Sequence, residues 1–186
     1  MDTLQIYKVL ACDPETKRHF RWVGPKDKLE KTARRPALYV ANTDPSGKPG
    51  RHWVAMFLEA DGTGTFFDSF GRAPSAVDST FEKFIEKHSD VQIVWNTIPI
   101  QCPVSMTCGL YCLYVLCWLC RGFVLDEILS DFDPNDLLSN DDSVLEWIDR
   151  NFPCELPFVD TSALIRQTCF PLHDNCEMNV VSTMYQ

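Results

Sequence analysis

Residues 101–120 read QCPVSMTCGLYCLYVLCWLC. Pro103 disfavours helix on its N-terminal side, Thr107 stands where an N-cap is expected, and no charge follows Cys108 until Arg121. The spacing predicts a helix that starts at Cys108 and is apolar on every side, hence buried. The Cys108 thiol then lies in the first helical turn. Unsatisfied N–H groups and the positive end of the helix dipole stabilise a thiolate there. The bland reading competes: five cysteines fall in this stretch, and free cysteine is among the most buried residue types. Position separates them. Cys108 follows a loop at the helix tip, whereas Cys112, Cys117 and Cys120 fall inside the helix as packing.

The chain of 186 residues is long enough for one domain with a real core, so we take 1–186 as a single unit with a loose tail at 171–186. The start, MDTLQIYKVL, lacks the basic and apolar pattern of a signal peptide, and no apolar run is long enough for a membrane span. Nine cysteines is an odd number, and they cluster on one helix rather than in loops, which indicates free thiols in a reducing compartment. Structural zinc is disfavoured, because Cys117-x2-Cys120 has no matching second pair and Cys169-x3-His173-x2-Cys176 sits in the tail. No metal or cofactor is expected. The net charge of −9 disfavours nucleic acid as a strong partner. The basic stretch from Lys17 to Arg35 reads as a solvated face.

Working outward from the cysteine helix, residues 2–11 carry Leu4, Tyr7, Leu10 and Ala11 at helical spacing and predict a short helix ended by Asp13-Pro14. Residues 19–36 are broken by Gly24-Pro25 and Arg35-Pro36 and give no regular element. Strands are predicted at 37–41, 51–59 and 63–68, separated by the turn signals at 44–50 and at Asp61-Gly62, which makes an antiparallel meander. Pro74-Ser75 opens a helix with Val77, Phe81, Phe84 and Ile85 on one face. A further strand is expected from Val91 to Trp95, continuing toward Ile100. Beyond the cysteine helix come short helices at 124–130 and near 161–168, and an amphipathic one at 139–152. The fold class is α+β: a mixed, largely antiparallel sheet packed by helices, with the cysteine helix against it.

His52 begins the second predicted strand and Asp68 ends the third. A turn centred near 61 places them near-opposite across the hairpin, as a base and its orienting carboxylate require. Gln101 precedes the loop, and its amide is suited to donate to a developing oxyanion alongside the Cys108 backbone N–H. Each of these residues alone is ordinary. His52 reads more readily as a strand histidine, Asp68 as a strand-end acid and Gln101 as a loop residue. The order His–Asp–Gln–Cys, each at an element boundary, points to a cysteine protease triad with an oxyanion-hole glutamine.

Gln101-x6-Cys108-Gly109-Leu110-Tyr111-Cys112, His52-Trp53, Val40-Ala41-Asn42-Thr43 and Phe67-Asp68-Ser69-Phe70-Gly71 together resemble the adenovirus endopeptidase family (adenain-like cysteine proteases), within the wider clan of ubiquitin-like-modifier proteases. The resemblance covers residues 37–122 well and the helical C-terminal third loosely. It implies Cys108 as nucleophile, His52 as general base, Asp68 as its orienting acid and Gln101 as an oxyanion donor. Adenovirus members carry Glu where Asp68 stands; Asp is the usual choice in the modifier-protease branch. They also use DNA and a disulfide-linked viral peptide as activators, but Asp90 occupies the position of the disulfide cysteine.

The resemblance further implies a monomeric endopeptidase of a DNA virus or virus-like transposon. Its expected partners are capsid or core precursor proteins, cut next to small, Gly-containing residues, and an activating peptide. Its expected locations are the host nucleus or virus factory and the virion. Trp53, following the base, would close one side of a narrow cleft and act in substrate binding. Three alternatives remain open: an isopeptidase acting on ubiquitin-like modifiers, a non-catalytic binding module with these residues as core, and a zinc-binding regulatory protein.

Overall fold

A computed structural model describes residues 1–29, 35–88 and 93–153. The helix expected at 161–168, the 171–186 tail and the Cys169–Cys176 cluster lie outside the described residues.

Strands β1 (Phe20–Pro25), β2 (Ala37–Asn42), β3 (Trp53–Leu58), β4 (Gly64–Phe67) and β5 (Ile93–Trp95) follow one another across a single sheet in that order. β2, β3 and β4 form the expected antiparallel meander, while β1 runs parallel to β2 and β5 parallel to β4. The architecture is α+β with a mixed sheet. β1 was hidden in the sequence because Gly24-Pro25 reads as a breaker. Proline is tolerated at an edge strand, which is where Pro25 stands. β5 stops at Trp95 and does not continue to Ile100.

Alternate side chains of β2 and β3 point to opposite faces, and both faces are covered. Leu38, Val40, Trp53, Ala55, Phe57 and Phe67 share one core cluster with helices α1 (Thr3–Cys12) and α5 (Cys108–Leu119), and α7 (Leu137–Asn151) packs on α5. Tyr39, Ala41, Val54, Met56 and Phe66 meet Phe81, Phe84 and Ile85 of α4 (Ser79–His88) on the other face. β2 and β3 are thus buried at every position and apolar at all but Asn42, and the sheet lies between helical layers.

α1 opens with a reciprocal capping box between Asp2 and Gln5. Its buried face is Ile6, Val9 and Leu10; Leu4 and Tyr7, expected inside, are at least half exposed. Asp13 then caps a second helix, α2 (Pro14–His19), rather than simply ending the first. Asp78 divides the helix expected from Pro74 into α3 (Pro74–Val77) and α4. The short helix near 124 is α6 (Leu125–Leu129). α5 is buried along nearly its whole length, as its uncharged sequence requires. No helix among the described residues is long and apolar enough to cross a membrane.

Candidate active site

Two strand ends and one helix tip meet at one edge of the sheet. β3 and β4 are antiparallel, so the residue before β3 and the residue after β4 lie at the same end. These residues are His52 and Asp68, each one step outside the strand in which the sequence placed it. The hairpin register pairs Ala55 with Phe67, so Asp68 falls beside Val54 rather than His52. The side chains still meet: His52 Nε2 donates to Asp68 Oδ1 at 2.6 Å. The Thr43 N–H donates to the His52 carbonyl at 2.8 Å, extending the β2–β3 ladder past the strand end and fixing the His52 backbone.

Asp68 is fully buried and held on every side. Its N–H donates to Asn96 Oδ1 (3.1 Å), and Asn96 Nδ2 donates to the Asp68 carbonyl (2.6 Å). Its carboxylate also accepts from the Phe70 N–H (3.2 Å) and from Arg72 Nε (2.5 Å). The Phe70 ring stacks on the His52 imidazole at 4.8 Å and 21°, which fixes the imidazole plane. Gly71 closes this turn at φ +70°, where a Cβ would stand 2.6 Å from the Ile98 backbone. Glycine is therefore required there.

Nε2 is committed to Asp68, so Nδ1 is the ring nitrogen left to face the Cys108 thiol, and the two groups shift each other's pKa. Cys108 is the first residue of α5, as the sequence predicted. Burial opposes a charge on either partner. On His52 that penalty is outweighed by Asp68 and Cys108, which push its pKa up from 6.5 to about 9. On Cys108, burial is outweighed by the hydrogen bond and charge of His52 and by the Trp53 backbone amide, so the thiol falls below its ordinary 9.0. Burial likewise works against the Asp68 carboxylate, and the bonds from His52 and Arg72 still bring it below 3.8. The arrangement favours a thiolate–imidazolium pair anchored on a carboxylate. Cys112 and Cys117 go the other way: burial pushes both thiols up, which leaves them inert packing.

Gln101 is buried and its amide orientation is fixed at both ends. Ser69 Oγ donates to Oε1 at 2.5 Å, and Nε2 donates to the Ser105 carbonyl (2.9 Å) and hydroxyl (3.1 Å). Thr107 occupies the N-cap position, but its side chain does not cap α5. Its hydroxyl donates to Asp141 of α7 instead, at 2.9 Å. Trp53 is nearly buried; its indole N–H donates to the Met1 carbonyl at 3.1 Å. It lines a groove of about 480 Å³ bordered by Met1, Gln5, Asn42, Asp44 and Gly50.

Against known proteins, a protein of Acanthamoeba polyphaga mimivirus is similar over part of the chain. Its name is "Putative thiol protease R355". The two are 29% identical over 99 residues, which is 50% of this chain. The chain spans about a third of that relative's length (32%). No protein-family model matches the chain.

Sequence reasoning named His52, Asp68, Gln101, Cys108 and Trp53. The first two meet each other, and His52 meets Cys108. Gln101 bonds to the loop leading into Cys108, and Trp53 lines a groove whose walls include none of the other four. Arg72, Asn96, Ser105 and Asp141 were missed, and Ser69 and Phe70 were named only as motif positions without a role. Only Arg72 left a local trace, a cation four residues beyond Asp68.

Proposed function

We propose that this chain is a cysteine protease that cleaves peptide bonds through Cys108, His52 and Asp68. The observation that carries the reading is the line of contacts Asp68–His52–Cys108, ending in a thiol at the tip of a buried helix with its pKa lowered by a histidine. Three residue types required for thiol hydrolysis meet from three separate elements, with the acid and base at 2.6 Å. Similarity to a viral protein named for thiol protease activity supports the same reading.

In the proposed reaction the Cys108 thiolate attacks the scissile carbonyl carbon, and the carbonyl electron pair moves onto oxygen. The Cys108 N–H donates to that oxyanion, joined by the Gln101 amide once one of its N–H groups turns from Ser105. On collapse the C–N bond breaks, and the imidazolium of His52 gives its proton to the leaving amine. A thioester on Cys108 remains. Neutral His52 then takes a proton from water as the oxygen attacks the thioester, the C–S bond breaks, and the acid product leaves with the thiolate–imidazolium pair restored. Asp68 holds the imidazole so that Nδ1 faces sulfur throughout.

The substrates we propose are viral capsid or core precursors, cut next to Gly-containing sequences admitted along the groove beside Trp53. An activating peptide is part of this reading, and the enzyme acts as a monomer in the virus factory or nucleus and in the virion. Cleavage of a diverse peptide library by wild type and by Cys108→Ala tests it. Cutting by wild type alone, next to small residues, is the expected result. Equal cutting by Cys108→Ala would remove the proposal. Reaction only with probes built on a folded ubiquitin-like modifier would move the substrate class to isopeptide bonds.

A further inference from the structure

Asp141 is a fully buried carboxyl that the reaction above does not use. It sits on α7, far in sequence from the strand motifs, and it is packed against the loop that carries Gln101 into Cys108. Oδ1 accepts from Thr107 Oγ1 and from the Tyr111 hydroxyl, each at 2.9 Å, and the Ser105 hydroxyl and the Cys102 backbone N–H also favour the carboxylate. Burial raises its pKa, and the bonds from the loop hydroxyls only partly offset that. A buried carboxyl is costly to keep, so its bonds to the loop must offset that cost.

What Asp141 does to Thr107 gives it a use. A threonine at the N-cap ordinarily turns its hydroxyl toward the second or third N–H of its helix. Here Thr107 has helical backbone angles (φ −92°, ψ 0°), its hydroxyl donates to Asp141 instead, and α5 has no side-chain cap. Leu110 and Tyr111 donate to the Thr107 carbonyl, whereas the Cys108 and Gly109 N–H groups take no partner among the described residues. Donors left open at the tip of a helix, beside the thiol, are what a developing oxyanion needs. The same hydroxyl continues into a chain: Thr107 Oγ1 meets Ser105 Oγ at 2.8 Å, and Ser105 Oγ accepts from Gln101 Nε2. Asn140, next to Asp141, donates to the Ile100 carbonyl at 3.1 Å, just ahead of Gln101. Helix α7 therefore holds both ends of the loop.

We propose that Asp141 is a positioning residue for the oxyanion hole: by anchoring the Thr107 hydroxyl and, through Ser105, the Gln101 amide, it fixes the loop that presents the open N–H groups at the tip of α5. The inference rests on the protease reading and adds a residue to it. It assigns Asp141 no contact with substrate.

The test compares Asp141→Ala, Asp141→Asn and Thr107→Val with wild type. It uses a fluorogenic aminocoumarin peptide taken from the library cleavage. A second readout is alkylation of Cys108 by iodoacetamide, followed by peptide mass spectrometry. Alkylation needs the thiolate and His52 but forms no oxyanion, so it separates the two machineries. The expected result for Asp141→Ala is kcat lower by about 10-fold or more, with KM and the Cys108 alkylation rate nearly unchanged. Asp141→Asn keeps an acceptor for Thr107 and returns kcat to within about 3-fold of wild type. If Asp141→Ala does not fold, Thr107→Val, which breaks the chain at its middle, decides by the same readouts. Unchanged kcat overturns the inference. So does a parallel loss of kcat and alkylation, which would mean that the fold, not the oxyanion hole, had been damaged. Wild-type turnover that does not depend on Cys108 removes the protease reading and this inference with it.

Discussion

Replacing Asp68 by Asn keeps its size and removes its charge. His52 stands at about 9 against an ordinary 6.5, which at about 1.4 kcal/mol per pH unit is about 3 kcal/mol in favour of the imidazolium. Burial opposes that charge, and Asp68 leads the groups that outweigh it, ahead of Cys108. Without Asp68 the thiolate alone must offset burial. A hydrogen bond between a carboxylate and an imidazolium contributes about 2 kcal/mol, so its loss means roughly 30-fold less ion pair in the variant. Geometry adds to the loss. The two oxygens of Asp68 accept from His52, Phe70 and Arg72, and an Asn has one acceptor oxygen. If that oxygen serves Arg72, the amide nitrogen faces Nε2. Nε2 must then accept, and the ring proton moves to Nδ1, where it blocks transfer from the thiol. Hydrolysis should fall by about 10²- to 10⁴-fold. The assay is iodoacetamide alkylation of Cys108 from about pH 5 to about pH 10, with hydrolysis measured alongside. The inflection should move up toward the ordinary thiol value of 9.0. An unchanged pH profile with near wild-type turnover would refute the ion-pair argument.

Three further outcomes follow from the same contacts. Gly71→Ala should destabilise the fold by about 2–5 kcal/mol, because a Cβ at positive φ is strained and this one meets the Ile98 backbone; urea unfolding measures it. Cys112→Ser should leave turnover in place and cost about 1–3 kcal/mol, since it puts a hydroxyl into a fully buried site on α5; paired activity and melting curves check both halves. His52 has a raised folded pKa, so its contribution to stability is fully present below 6.5 and is lost as pH rises through about 9. The gap in Tm between wild type and His52→Ala should therefore narrow across that interval, as thermal melts in matched buffers would show.

What could be read in the sequence was whatever a single element announces. The uncharged run behind Cys108 could only be a buried helix, and its first residue could only be at the tip. The meander was legible because short polar turns separate its three strands. That hairpin logic also brought His52 and Asp68 to one end of the sheet, although the register differs from the one expected. Side-chain reach closed the gap. β1 was lost because its edge position and parallel pairing leave no local pattern around Gly24-Pro25. The buried face of α1 was misassigned because Leu4 and Tyr7 are as apolar as Ile6 and Val9, and only the packing against β1 and α5 chooses between them. The supporting residues were least legible. Asn96, Ser69 and Asp141 act across about thirty residues of chain, and a polar residue in a loop or on a helix carries no mark of a distant partner.

The central claim is that Cys108 is a nucleophile held as a thiolate by His52. A peptide ending in Gly-Gly with a C-terminal chloromethyl ketone, followed by mass mapping of every cysteine, addresses it most directly. The account predicts one adduct, on Cys108, which forms near neutral pH and is lost in His52→Ala. Labelling that falls instead on the exposed Cys12, or that persists on Cys108 without His52, would contradict it.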